Sequence, residues 1–236
     1  NEQNLDLFDL PRSQFDPNLL EVEEDLGGAR REGSYGPVAN DATLNYGEAS
    51  LPRTQYAIFN TQRVEKPARR AIAHIVNQET IVDTAVRGQG QPAYLLTPPS
   101  AFPGGPEEYQ AKAEEEYPYG YNESQVQKAR EVMEEAGYGA DNMYEVQWTQ
   151  YQSDTWSDMA SILRDQLQSA HIDMQIEEAD FSTMLKRGRN GNLEVYTLGG
   201  IADYPEPDNF LGLLDPPQTD TSQSAPVSYI NWTSEN

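Results

Sequence analysis

The chain of 236 residues has no cysteine and only two histidines, His74 and His171. Without thiols, neither disulfides nor thiolate metal sites can form, and cysteine pairing gives no information on redox compartment. Positive charge is also scarce. Lys and Arg number 16 against 39 Asp and Glu, four of the 16 are Lys, and the formal net charge is -23. Phosphate recognition needs a basic face, so nucleic acid is excluded as a partner. No apolar run is long enough to span a membrane, and Asn1 is not followed by a charged and apolar leader. There is no G-x-S-x-G elbow and no Walker-type loop, which leaves acyl transfer and nucleotide chemistry without a carrier.

What is present is periodic. Tyr144, Val146 and Trp148 alternate with polar neighbours, which predicts a half-buried strand. From Ser153 to Ala170, residues Trp156, Met159, Leu163, Leu167 and Ala170 recur at three- and four-residue steps and make one apolar helical face. Ile172, Met174 and Ile176 alternate again. Asp180 is placed to cap a short helix carrying Phe181, Met184 and Leu185, with Gly188 and Gly191 as its breakers and Leu193–Leu198 as a third strand. Helices between short strands imply parallel pairing by right-handed crossovers. The predicted fold is therefore α/β, with a mixed, largely parallel sheet flanked by helices.

In open α/β sheets ligands sit beyond the carboxyl ends of strands. Just past such an end comes GGIADYPEPDNFL, Gly199 to Leu211, with Asp203 near its middle. Pro205 and Pro207 fix their own φ and push Tyr204 and Glu206 toward extended backbone, so a stiff loop is predicted. Asp208 and Asn209 suit the cap of a short helix starting at Phe210 and Leu211. A stiff loop holds a carboxylate without an ordering cost on binding. Spacing alone favours a plainer reading, in which the Asp caps a helix or accepts backbone N–H bonds.

The segment resembles one in the extracellular solute-binding proteins of peptide-type ABC importers, a family that also contains nickel and oligosaccharide binders. Three further stretches resemble that family in the expected order: Gln55–Val86 (QYAIFNTQRVEKPARRAIAHIVNQETIVDTAV), Gly88–Pro99 with its GQGQPAYLLTPP run, and Val126–Gly139 (VQKAREVMEEAGYG). The resemblance spans roughly Leu5 to Asn236. It implies a lobe of the type II periplasmic-binding-protein fold, closing by a hinge around a ligand and docking on a membrane permease. It implies that Asp203 accepts the α-ammonium of a bound peptide, with Tyr204 and Asn209 shaping the loop. Gly200 stands where the family usually carries Trp, so one aromatic wall of the pocket is missing. Residues 1–52 are expected to end a first lobe and 53–236 to form a C-terminally incomplete second lobe, the signal, lipid anchor and most of the first lobe lying upstream. The whole protein is expected to be an extracellular, surface-anchored monomer, without cofactor, metal or enzymatic activity. The alternatives are the same fold with a nickel chelate or oligosaccharide, and more distantly a secreted hydrolase.

The acidic surface carries a second message. Self-repulsion at this net charge opposes compaction in dilute buffer. At molar salt the screening length falls to about 3 Å and the repulsion largely vanishes. An acidic, Lys-poor surface is thus expected for a protein of a halophile.

Elsewhere, a helix is expected near Leu19–Leu26 and a polar loop over Gly27–Asp41. Pro67 should start a helix with Ile72, Ile75 and Val76 on one face, and Asn122 with Gln125 should open the helix that Gly137 ends. Glu107–Glu116 reads as a solvated acidic helix or loop, and Asp215–Ser228 as irregular. His74 and His171 read as structural. The pairs Glu115–Glu116 and Glu134–Glu135 are poor candidates for glycoside hydrolysis, since neighbours on a solvated helix rarely face one pocket. Asp203, Glu206 and Asp208 form a minority candidate for a hard-cation site. Asn122-Glu123-Ser124 and Asn231-Trp232-Thr233 are N-glycosylation sequons.

Overall fold

The computed structural model describes residues 8, 10, 11, 14–25, 30–204, 206–222, 226 and 228–232. Strands β1 (Leu20–Asp25), β2 (Arg30–Tyr35) and β3 (Leu44–Ala49) form an antiparallel sheet in that order. The helix expected near Leu19–Leu26 is therefore corrected to strand β1, and the loop expected over Gly27–Asp41 is corrected to strand β2 at Arg30–Tyr35 while 36–41 stay outside any strand, with residues 26–29 outside the description. The sequence LEVEED offers no broad apolar stripe to a helix. Its strand state is fixed by distant partners, from Leu20 opposite Tyr35 to Asp25 opposite Arg31. Rings of Phe15 and Tyr35 stack 5.7 Å apart, and those of Tyr35 and Tyr46 lie 6.3 Å apart, which gives this small sheet its apolar side. The apolar run Leu5–Leu10 falls mostly outside the described residues.

A second sheet has the order β4-β7-β5-β6, built from β4 (Arg53–Phe59), β5 (Tyr144–Tyr151), β6 (Ile172–Ala179) and β7 (Val195–Ile201). β5 pairs with β6 and with β7 in parallel, while β4 runs antiparallel to β7, so the sheet is mixed as predicted. Helices α1 (Lys66–Ile75), α2 (Gln78–Thr84), α3 (Gly105–Glu116) and α4 (Val126–Glu135) lie in the β4–β5 connection. α5 (Asp154–Gln168) and α6 (Phe181–Arg189) supply the next two crossovers, and α7 (Asp208–Leu211) and α8 (Pro216–Thr219) follow β7.

The two faces of this sheet bury different cores. Trp148 and Val146 of β5 and Ile172 of β6 pack with Trp156, Leu163 and Leu167 of α5 and Ile72 and Ile75 of α1. Each such side chain stabilises the fold by about 1.5–3 kcal/mol when fully buried. The other face joins Ile58, Met184, Leu193 and Tyr196 to Tyr229, from the returning tail. That tail is anchored by Thr61, whose N–H donates to the Ile230 carbonyl (2.8 Å) and whose hydroxyl donates to that of Asn231 (2.9 Å).

Two local expectations fail for tertiary reasons. Gly188 does not break α6; it lies inside that helix, fully covered by Tyr229. Asn122 and Gln125 do not form a capping box, because α4 starts at Val126 without a side-chain cap. The Gln125 side chain is instead taken by His74, Nδ1 to Oε1 at 2.8 Å. Gly137 does end α4, in the left-handed region at φ 92°.

Candidate functional site

β7 is longer than its apolar run suggests, continuing through Gly199 and Gly200 to Ile201. It pairs with β4 along all of its length, from Phe59 opposite Val195 to Arg53 opposite Ile201. With β5 it pairs only at Trp148–Val195 and Thr149–Tyr196. The ladder's alternation then determines what the rest of β7 presents. Asn60 N–H donates to the Glu194 carbonyl and Ala202 N–H to that of Pro52, both at 2.8 Å, so the even-numbered residues of β7 turn their backbone groups to β4. Gly199 and Ile201 must turn theirs to the opposite side, where no described strand pairs with them. A short open edge results, at the carboxyl ends of two parallel strands.

The chain leaves this edge into the Asp203 loop. Asp203 is exposed and makes no hydrogen bond or ion pair with any described residue. Its carboxylate is therefore not occupied in capping a helix or closing a turn. The loop is tightened on either side by backbone bonds from Ala202 to Pro52 (2.8 Å) and from Glu206 to Tyr204 (2.9 Å). Tyr204 donates its hydroxyl to Asp208 Oδ2 at 3.0 Å, and this bond to a carboxylate raises the phenol's pKa. Pro205 lies outside the described residues. Pro207, not Asp208 or Asn209, occupies the cap of α7, and Asp208 and Asn209 fall within its single turn. Phe210 is buried in the core, at 2% exposure.

Gly200 faces the same side of the sheet as Tyr56 and Leu198. A Cβ built on it would lie 3.6 Å from the Tyr56 hydroxyl and 4.0 Å from that ring, with nothing else inside 4 Å. Burial of Tyr56 raises its pKa, so it stands there as a neutral phenol. Of the four residues singled out in the sequence, Gly200, Asp203 and Tyr204 border the open edge or its loop. Asn209 is set back in α7. Gly199, Ile201 and Tyr56 fall in stretches the sequence singled out, but their part in an edge carried no signal there, because strand register is a tertiary property.

A cavity of about 770 Å³ has Tyr56 on its wall but extends away from the loop. It is lined by Phe59, Ile72, Trp148, Trp156 and Leu163 on the α1–α5 face, and no residue of the Asp203 loop borders it. Arg31 and Glu48 on its wall already pair with one another at 2.6 Å. Arg53 also borders it, whereas the β7 edge brings together a carboxylate and backbone groups that have no partner among the described residues.

The remaining candidates resolve as structural. Among the described residues no three His, Cys, Asp or Glu converge as metal ligands, so Asp203, Glu206 and Asp208 do not assemble a cation site. His74 is 2% exposed and packs edge-on against Tyr119, at 5.0 Å; burial lowers its pKa. His171 Nε2 lies 3.2 Å from Glu134 Oε1, at a helix end with φ 62°. Asn122 is exposed in a turn, while Asn231 Oδ1 accepts from Thr221 N–H and Thr233 lies outside the described residues.

A mixed α/β sheet flanked by helices, with an open strand edge leading into an exposed carboxylate, defines an α/β lobe. The family model described as bacterial extracellular solute-binding proteins, family 5 Middle, matches residues 27–222, and the chain belongs to that family. It is a family of binding proteins, not of enzymes. The fold is similar to that of the Escherichia coli murein tripeptide binding protein MppA, at 19% identity and a TM-score of 0.60, covering 82% of this chain and 34% of that one. Helicobacter pylori DppA, an ABC transporter-associated periplasmic binding protein solved with the peptide STSA, is 26% identical with a TM-score of 0.55, covering 67% and 29%. Staphylococcus aureus NikA, solved with Ni(L-His)2, is 16% identical with a TM-score of 0.53, covering 72% and 34%. The chain thus spans about a third of the length of these structures. No curated protein sequence matches it.

Proposed function

We propose that this chain is the ligand-holding part of a solute-binding protein that captures peptides outside the cell and hands them to the permease of an ABC importer. The observation that carries the reading is the open edge at Gly199 and Ile201, two residues before the exposed Asp203, which has no partner among the described residues. An extended peptide can add to such an edge as a strand, whatever its side chains. A carboxylate at the end of the edge then takes the peptide's ammonium in a charge-assisted hydrogen bond, strengthened when a closing cleft expels water. The bond from the Tyr204 hydroxyl to Asp208 ties the start of the loop to α7. Residues 1–52 would end the first lobe and 53–236 belong to the second, with a hinge between them and a surface anchor in the whole protein. Its acidic surface suits a salty medium.

Calorimetry on the intact protein tests the reading with three ligands: a free tripeptide, its N-acetylated form, and nickel with histidine. Binding of the free peptide with loss of about tenfold or more on acetylation is expected. Binding of the nickel–histidine complex without any peptide affinity would instead select the chelate reading, which the likeness to NikA keeps open.

A further inference from the structure

Two stretches of the chain carry the Asn-x-Ser/Thr pattern that accepts an N-linked sugar, Asn122-Glu123-Ser124 and Asn231-Trp232-Thr233, and the fold treats them differently. Asn231 is built into the returning tail and is half-buried there. Its Oδ1 accepts from Thr221 N–H at 3.3 Å, its own N–H donates to the Thr219 carbonyl at 3.0 Å, and its carbonyl accepts from the Thr61 hydroxyl at 2.9 Å. Asn122 is the opposite case. It is exposed in the turn before α4, in the left-handed region at φ 52°, which Asn adopts more readily than most residues. Its backbone is held, since its N–H donates to the Tyr94 hydroxyl at 3.0 Å and Gln125 N–H donates to the His74 carbonyl at 2.7 Å. Its carboxamide makes no hydrogen bond with any described residue. The third residue of the pattern adds an independent observation. Ser124 Oγ is buried and has no hydrogen-bond partner among the described residues. A buried hydroxyl without a partner opposes folding, so Ala would serve the fold better here and the hydroxyl answers to a demand other than stability.

We infer that Asn122 carries an N-linked oligosaccharide and that Asn231 does not. The inference needs the extracellular setting of the family but no particular ligand. The donor is an oligosaccharide held on a lipid phosphate, and a membrane-bound transferase acts on the exported chain before Ser124 is buried. Asn122 Nδ2 attacks the anomeric carbon of the first sugar. A C–N bond forms, the bond from that carbon to the phosphate oxygen breaks, the lipid phosphate leaves with the electron pair, and the amide proton passes to a base of the transferase. No oxidant or reductant is required. After folding, the glycan leaves the surface next to Tyr94 and Tyr121, whose rings lie 4.6 Å apart, and adds uncharged hydration at the rim of that small aromatic cluster. On Asn231 the same substituent would crowd the contacts that fasten the tail to Thr61 and Thr219.

Mass spectrometry of proteolytic peptides from the intact protein, purified from the cells that make it, tests the assignment. The peptide containing Asn122 should carry added sugar mass, and the peptide containing Asn231 should have its sequence mass. Asn122→Gln and Ser124→Ala, produced in the same cells, should each abolish the addition, while Ser124→Thr should keep it. Ser124→Ala removes no hydrogen bond to a described residue, so it covers the case in which Asn122→Gln disturbs the left-handed turn. An unmodified Asn122 peptide, a sugar on Asn231, or an addition that survives Ser124→Ala overturns the assignment. None of these results bears on the peptide reading, which stands or falls on binding.

Discussion

Tyr229 lies flat over Gly188 so closely that a Cβ on that glycine would fall 2.2 Å from the ring's Cδ2. Gly188 sits inside α6, and Tyr229 comes from the tail after α8, so this contact clamps a crossover helix to a segment 41 positions further on. Tyr229 also stacks on Tyr196 of β7, at 5.9 Å. Helix propensity favours Ala over Gly by about 1 kcal/mol. Overpacking costs about 1–3 kcal/mol, and here the obstructing atoms are a ring with little room to turn. Gly188→Ala should therefore destabilise the protein, and Tyr229→Ala should remove most of the difference between Gly and Ala. A double-mutant cycle in urea measures it; additivity would show that the two positions are not in conflict.

Asp203 should act on the ammonium alone. Asp203→Asn is expected to weaken a free tripeptide by roughly 10- to 150-fold, the span of a hydrogen bond to a charged group. The N-acetylated peptide should bind wild type and variant alike. Equal losses for both peptides would mean that the loop, and not the charge, had been disturbed.

His74 should add a pH dependence to stability. Burial lowers its pKa below 6.5; the bond to Gln125 works the other way, and the Lys128 and Arg70 charges lower it further. The unfolded chain thus binds this proton near pH 6.5, and the folded one only at lower pH. The His74 contribution is full above that value and is lost as pH falls toward the folded pKa. In molar KCl, which screens the carboxylates, His74→Gln should flatten the decline in unfolding midpoint between about pH 7.5 and 5.5. Parallel profiles for the two proteins would count against it.

Salt should matter more than for an ordinary domain. With 39 acidic side chains against 16 basic ones, screening removes a repulsion that burial cannot offset. The thermal midpoint is expected to rise by roughly 5 °C or more between dilute buffer and about 2 M KCl. High stability in dilute buffer, unchanged by salt, would remove the halophilic reading.

The β5–α5–β6–α6–β7 unit was legible because both periodicities are clean: Val146 and Trp148 alternate inward, and Trp156, Leu163 and Leu167 repeat along one helical face. β1 was not, since Leu20–Asp25 shows most of its side chains to solvent and owes its conformation to partners in β2. Asp203 could be singled out from its neighbours in sequence, but its lack of a partner could not. The free edge at Gly199 and Ile201 was invisible, because two strands that part after Thr149–Tyr196 leave no mark in either sequence.

That edge has a cost when no ligand is present. A strand with unpaired N–H and C=O groups is a template for any other extended chain, including a second copy of the same protein. Here it is short, ends in a pair of glycines and Ile201, and leads into an exposed carboxylate on a molecule of net charge -23. Two copies approaching edge to edge would bring like charges together. In dilute buffer a peptide bearing an ammonium terminus would not meet that barrier, whereas in molar salt, where the repulsion is screened, the shortness of the edge is what remains to limit pairing between copies.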